Sequence, residues 1–315
     1  MRFNYRGYFF VFSIFPLKYK YETLIFKFIL KFNINYKKKI ELILVIQISA
    51  RGNFPLSMNE NSGKRNTLNK IKDEDEDLED IKLRKEIIDE NIVIYGKDLV
   101  KNYEIGDFIV KAIDNVSIKI KNGEFLVVKG PSGAGKTTLL NLLGGLDNPN
   151  EGKIFSFGVK ISDMDQETLT IWRLMNSGFI FQNYNLISTL TSEENIMFPL
   201  SLTGVKLDEQ RNRAVLLLKT MGLGERREHL PFQLSAGEQQ RVAIARALSN
   251  DPPVILADEP TANLDKGTSQ IIRDVFEELK ESEKTVMVVT HDDHLISLAD
   301  RVIHFDNGKI VDEEF

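Results

Sequence analysis

Cysteine is absent from the 315 residues, so no disulfide and no thiolate metal site can form. That fits a cytosolic chain. Long apolar runs are also missing: residues 8–17 and 40–50 are apolar but too short for a confident spanning helix. No sustained heptad array marks a long coiled coil. The net charge of −5 gives no general basic excess, so no nucleic-acid partner is expected. What is present is 42% hydrophobic residues over a length sufficient for one large domain, or one domain with extensions.

Two compositions share the chain. Residues 1–57 hold 10 Lys and Arg against 2 Asp and Glu, with 14 of the 29 aromatic residues. The remainder carries 31 basic and 44 acidic residues. The break falls near Met58. Residues 1–57 contain no motif and no clear signal-peptide cleavage site. The expectation is upstream sequence translated from a misplaced start, with a Phe/Tyr- and Lys/Arg-rich membrane-surface anchor as the alternative. Residues 58–91 are polar and acidic. They read as a solvated linker, with room for one short helix and no chemistry.

The domain proper is expected over 92–315. Residues 97–129 alternate as strands do, with one strand over 112–120 and the next over 124–129. Asn122-Gly123 between them predicts a hairpin. From residue 130, helical stretches alternate with short β-rich apolar runs, a rhythm that argues for an α/β domain with a largely parallel sheet.

The residues at the carboxyl end of each apolar run are informative. Residues 125–129 lead into Gly130, 178–181 into Gln182, 254–257 into Asp258-Glu259, and 285–289 into Thr290-His291. Open α/β sheets bind ligands at the carboxyl ends of their strands. Four such coincidences point to one site.

Gly130-Pro131-Ser132-Gly133-Ala134-Gly135-Lys136-Thr137 fits the phosphate-loop pattern completely, and Thr138 continues into the next helix. Glycines let backbone N–H groups turn inward around phosphate oxygens. The helix N-terminus favours the anion. Lys136 neutralises β/γ-phosphate charge, and the Thr137 hydroxyl ligates Mg²⁺. Asp258, at a strand end, is placed to hold Mg²⁺ directly or through water. Glu259 beside it is placed to polarise the attacking water.

Leu234-Ser235-Ala236-Gly237-Glu238-Gln239-Gln240-Arg241 resembles the signature of ABC ATPases, usually Leu-Ser-Gly-Gly-Gln. Residues 257–265, Ala-Asp-Glu-Pro-Thr-Ala-Asn-Leu-Asp, resemble the second acidic motif of that family running into its D-loop. The resemblance covers about residues 95–315. It implies a P-loop core with a mostly parallel sheet, an antiparallel β subdomain, and an inserted helical subdomain at 183–235 that docks on a permease. It implies a head-to-tail homodimer, or a pseudo-symmetric pair, holding ATP between the phosphate loop of one subunit and the signature of the other. Ser235 and Gly237 would contact the γ-phosphate of the partner's ATP, and Asp265 would cross the interface. His291 would be the switch histidine, Gln182 the permease-sensing ligand of Mg²⁺, and Tyr103 the aromatic that stacks on adenine.

Residues 145–152, 163–170 and 178–195 are similar to the lipoprotein-releasing and macrolide-export branch. The resemblance thus implies an ATPase peripheral on the inner face of the cell membrane, energising export or extraction of a lipoprotein, peptide or drug-like substrate through separate permease chains. A regulatory ATPase that signals across the membrane without moving solute is the second reading. Asp208 and Gly222 read as cap and stop of a helix over 208–221. Two departures stand out. Ala236 replaces a glycine, tolerable if no positive φ is needed there. Glu238 replaces Gln; it closes a capping box with Ser235, but its carboxylate would oppose a facing phosphate, so Glu238→Gln is expected to strengthen the ATP-bound dimer.

Overall fold

The computed structural model describes residues 78–315; the expectations for residues 1–57 and for the first part of the acidic linker lie outside them. Helix α1 (Leu78–Asp89) leads into β1 (Ile92–Ile105), β2 (Phe108–Lys121) and β3 (Phe125–Lys129), then α2 (Lys136–Leu143). Next come β4 (Glu151–Ser156), β5 (Val159–Lys160), α3 (Gln166–Asn176) and β6 (Ser177–Ile180). Three helices come after them, α4 (Ser192–Leu202), α5 (Leu207–Thr220) and α6 (Ala236–Leu248). The chain closes with β7 (Val254–Asp258), α7 (Lys266–Glu281), β8 (Thr285–Val289), α8 (Asp293–Ser297), β9 (Arg301–Asp306) and β10 (Lys309–Glu314).

Two sheets result. One is antiparallel with order β2-β1-β4-β5; the other has order β10-β9-β3-β8-β7-β6. Strands β9, β3, β8, β7 and β6 run parallel, and β10 joins antiparallel at the edge. The central strands are buried on both faces, which explains their unbroken apolar sequences. In β3, Leu126 and Val128 enter one core while Phe125 and Val127 enter the other; in β7, Leu256 and Ile255 divide the same way. One core lies against the antiparallel sheet and α2, the other against α4 to α7.

Two expectations are corrected. Asn122-Gly123 does form a turn, with Gly123 at φ 76° and Glu124 N–H donating to Lys121 C=O at 3.2 Å. The flanking strands do not pair, however, because β2 belongs to the antiparallel sheet and β3 to the parallel one. The turn is a passage between sheets; tertiary burial of both faces of β3 overrides the local hairpin signal. The hairpin is made instead at Gly106-Asp107, closed by Ile105 opposite Phe108.

The second correction concerns the linker. Its last part is helix α1, which docks on the antiparallel sheet rather than standing in solvent. Leu83 and Ile87 are buried against Ile92, Tyr95 and Phe155. Asp80 pairs with Lys153 at 2.6 Å and Lys160 at 3.1 Å, and Glu86 and Glu90 pair with Lys119 at 2.6 and 2.8 Å. Burying two aliphatic side chains contributes about 1.5–3 kcal/mol each, whereas the more exposed Glu86 and Glu90 pairs give roughly 0–1 kcal/mol each, and the pairs of the buried Asp80 largely offset its desolvation. The apolar contact therefore holds the helix, and the acidic residues select its register over four lysine-bearing strands.

In the helical subdomain, α5 begins at Leu207 after Lys206, which makes no side-chain cap; Asp208 sits in the first turn rather than at the cap. Gly222, at φ 67°, lies just past the helix end. Ala236 is the first residue of α6 in ordinary helical conformation, so the lost glycine is not missed.

Candidate functional site

Strands β3, β8, β7 and β6 are neighbours, and their carboxyl ends open into one cleft of about 860 Å³. Tyr103, the 132–138 segment, Gln182, Asp258, Glu259 and His291 all line it. The four strand-end motifs thus meet, as their positions after the apolar runs imply.

The loop after β3 needs its glycines. Gly135, at φ 103°, has no room for a side chain: a Cβ would lie 2.2 Å from the Ala112 carbonyl oxygen. At Gly130 a Cβ would meet the Phe305 carbonyl oxygen at 1.8 Å. The loop then enters α2 so that Lys136 starts the helix. Its buried ammonium donates to the Gly130 and Pro131 carbonyls at 2.7 and 2.8 Å. Pro131 and Gly130 thus act here as acceptors for the lysine rather than as lining of the cleft.

Thr137 Oγ1 donates to Asp258 Oδ2 at 2.8 Å. Two hard oxygens at this separation match roughly the 3 Å edge of an octahedral shell with ligands at about 2.0–2.1 Å, so the pair fits Mg²⁺. Burial pushes the Asp258 carboxyl up from its ordinary range, with the Thr137 hydrogen bond and Lys136 opposing. Burial also raises Glu259, partly offset by His291. Glu259 stands in left-handed backbone, φ 46°, with its N–H donating to Val289 C=O at 2.8 Å. A non-glycine residue held there is strained, and such strain concentrates at functional positions. His291 Nε2 lies 3.5 Å from Glu259 Oε1. A carboxylate with raised proton affinity next to an exposed imidazole is equipped to take a proton from water and pass it on.

Besides Gly130 and Pro131, the predicted residues outside the cleft lining are Ser235, Gly237 and Asp265. Ser235 caps α6: its Oγ accepts from Glu238 N–H at 3.3 Å, and Glu238 returns to the Ser235 N–H at 2.8 Å. Gly237 is buried, and a Cβ there would meet the Thr268 side chain at 2.7 Å. Asp265 caps α7 through the Thr268 N–H at 3.0 Å. None of the three reaches this subunit's own cleft.

Glu238 carries a further finding. Arg226 Nε donates to its Oε1 at 2.8 Å, and this contact, with the Ser235 N–H, lowers its pKa to about 2. The carboxylate already has a cation, so the repulsion expected from the sequence is neutralised within the subunit.

Several positioning residues are not legible in the sequence. Arg246 donates to the Asn185 and Tyr184 carbonyls at 2.6 and 2.9 Å, fixing the loop after Gln182. Asp292 accepts from Thr261 at 3.0 Å and from Arg273 at 2.8 Å, tying the segment after His291 to the one after Glu259. Gln240 donates to the Pro260 carbonyl at 3.0 Å, linking α6 to the same segment. Their only signal is adjacency to a motif, which does not name a partner.

Comparison with known proteins places this geometry. Residues 113–262 match the family profile described as ABC transporter. An uncharacterized ABC transporter ATP-binding protein of Methanocaldococcus jannaschii is 45% identical over 223 residues, covering 69% of this chain and 95% of that protein. The lipoprotein-releasing system ATP-binding protein of Pseudomonas fluorescens is 42% identical, covering 70% of this chain and 98% of its own. The macrolide export ATP-binding/permease protein of Hyphomonas neptunium is 46% identical over 69% of this chain, which spans about a third, 34%, of that longer relative. A solved dimer of the archaeal cassette, in a post-hydrolysis state bound to ADP and Pi, superposes with a TM-score of 0.68 at 43% identity, covering 70% of this chain and 97% of that one.

Proposed function

Since this chain belongs to the ABC transporter ATP-binding family, we propose that it works as the ATP-hydrolysing subunit of a two-cassette assembly driving a separate membrane permease. The convergence of Lys136, the Thr137–Asp258 pair, Glu259 and His291 on one cleft edge supports this reading.

The phosphate loop surrounds the β- and γ-phosphates with backbone N–H groups. Lys136 exchanges its two carbonyl partners for phosphate oxygens. A Mg²⁺ held by Thr137 and Asp258, with Gln182 in reach, supplies charge neutralisation on the phosphates when bound. Glu259 orients and deprotonates the attacking water, and His291 holds the γ-phosphate end. Tyr103, 37% exposed at the cleft mouth, offers its ring to adenine. Ser235 and the N-terminus of α6 lie outside their own cleft, which leaves them to serve a second subunit's γ-phosphate. Asp265 lies exposed beside them.

The domain division proposed is an ATP-binding domain over 92–315 with the helical subdomain at 183–235, extended by the docked helix α1. No helix among the described residues is long and apolar enough to cross a membrane. The lipoprotein-releasing and macrolide-export relatives support a peripheral position on the inner membrane face and export or extraction of a lipoprotein, peptide or drug-like molecule.

Glu259→Gln tests the reading. It removes the base and leaves the Lys136 contacts, so ATP binding persists, turnover falls ~10²–10⁴-fold, and an ATP-bound dimer accumulates. Near-normal hydrolysis by this variant would defeat the assignment.

A further inference from the structure

The loop after α2 reaches back to Tyr103, which lines the cleft. Asp147 Oδ2 accepts from the Tyr103 hydroxyl at 2.9 Å, and Asp147 Oδ1 accepts from Lys101 Nζ at 2.6 Å. Lys101 also donates to the Asn148 carbonyl at 2.8 Å and sits 5.2 Å from the centre of the Tyr103 ring. The loop is also fastened to β1 just before that ring: Asn150 N–H donates to Val100 C=O at 2.8 Å, and Asn102 N–H donates to Asn150 Oδ1 at 2.8 Å. Burial alone would raise the Asp147 carboxyl, but the Lys101 and Tyr103 hydrogen bonds outweigh it and hold it below the usual range.

We propose that Asp147 is a positioning residue for the nucleobase, holding the Tyr103 phenol so that the ring is in place before ATP arrives. The proposal rests on the reading of Tyr103 as the adenine platform. The placement gives α2 two ends with two tasks. Its first residue, Lys136, belongs to the phosphate loop, and the segment just past its last turn fixes the platform. Phosphate cradle and base platform are therefore set by one eight-residue helix, about 12 Å long. A Tyr released from Asp147 would have to be ordered by the nucleotide, a cost worth roughly 2- to 10-fold in affinity.

The test uses the full chain with Asp147→Asn, Tyr103→Phe, their double variant and Tyr103→Ala. MgATP affinity, KM and kcat are measured, and inorganic tripolyphosphate is titrated as a ligand without a base. Asp147→Asn and Tyr103→Phe are each expected to raise Kd and KM for ATP roughly 2- to 10-fold, with kcat within about two-fold. The double variant should be no weaker than Asp147→Asn alone, because both substitutions act on the same Tyr103–Asp147 contact. Tripolyphosphate affinity should not change. Equal weakening of tripolyphosphate, or additive losses in the double variant, would show a general disturbance of the loop and overturn the proposal. Normal ATP affinity in Asp147→Asn while Tyr103→Ala binds weakly would overturn the clamp and spare the platform. Normal ATP affinity in Tyr103→Ala would remove the platform itself, and the clamp with it.

Discussion

Arg226 is expected to govern how strongly two ATP-loaded subunits hold together. Its guanidinium covers Glu238, whose carboxylate sits in the first turn of α6 beside the Ser235 N–H. Removing the guanidinium by Arg226→Ala exposes a full negative charge at the helix end that, in the proposed two-cassette assembly, would face the partner's phosphate. For unit charges ~8 Å apart, Coulomb's law gives roughly 0.5 kcal/mol at water's dielectric and ~2 kcal/mol at an effective value of 20. The Arg226 side chain is 46% exposed, so solvent screening favours the lower half of that range. Taking about 0.5–1 kcal/mol at each of two sites, dimer affinity should fall roughly 5- to 30-fold. The assay is the ATP-dependent monomer–dimer equilibrium in a Glu259→Gln background at low salt. Adding Glu238→Gln to Arg226→Ala should restore the parent affinity to within about two-fold, while Glu238→Gln alone should change little, since its charge is already balanced. The deficit should shrink in ~1 M salt, where the screening length is about 3 Å. Arg226 is the largest cause of the low Glu238 pKa, so in Arg226→Ala the carboxyl moves back toward its ordinary range; that range still lies below pH 6, and the deficit should persist at pH 6. An Arg226→Ala dimer as strong as the parent, or one that Glu238→Gln fails to rescue, would refute the reasoning.

Lys136→Ala should abolish tight MgATP binding through loss of a charge-assisted contact; nucleotide titration with an unchanged dissociation constant would contradict it. Asp258→Asn should raise the Tm of the nucleotide-free protein at neutral pH, because burial disfavours the ionised carboxyl. That gain should fade as pH falls toward the ordinary carboxylate pKa, where Asp258 takes up its proton; a gain independent of pH from 7 to 4 would be inconsistent with charge burial. Ile87→Ala, which empties the contact under α1, should speed amide exchange in α1 and the adjoining edge of β1 ahead of the parallel sheet. Uniform exchange throughout the domain would show that α1 is not a separable unit.

Motifs were more legible in the sequence than the packing around them. The phosphate loop and Asp258-Glu259 were legible because their chemistry demands fixed residue types at fixed spacing beside a strand. The α/β rhythm was legible because strands buried on both faces leave unbroken apolar runs. Asn122-Gly123 misled because a turn signal is local, while the choice of sheet is made by packing on two sides of β3. Helix α1 was hidden by composition: its acidic residues look solvated until Lys97, Lys119, Lys153 and Lys160, scattered over four strands, are brought beneath them. Arg226 and Asp147 were invisible as partners for the same reason. Twelve residues separate Arg226 from Glu238 and 44 separate Tyr103 from Asp147, and neither spacing carries a periodicity that names the pair.

The adjacency of β3, β8, β7 and β6 also works as a ruler. Strands lie about 4.8 Å apart, so the first and last of the four motif-bearing ends stand roughly 14 Å from each other, and each additional strand residue advances its loop about 3.3 Å. A single-residue insertion in any of the four would displace one motif by that step and turn the strand's later side chains toward the opposite core. The connecting loops and the helical insertion have no such graduation. Sequence change in this fold is therefore free to accumulate as length between the strands and is confined to substitution within them.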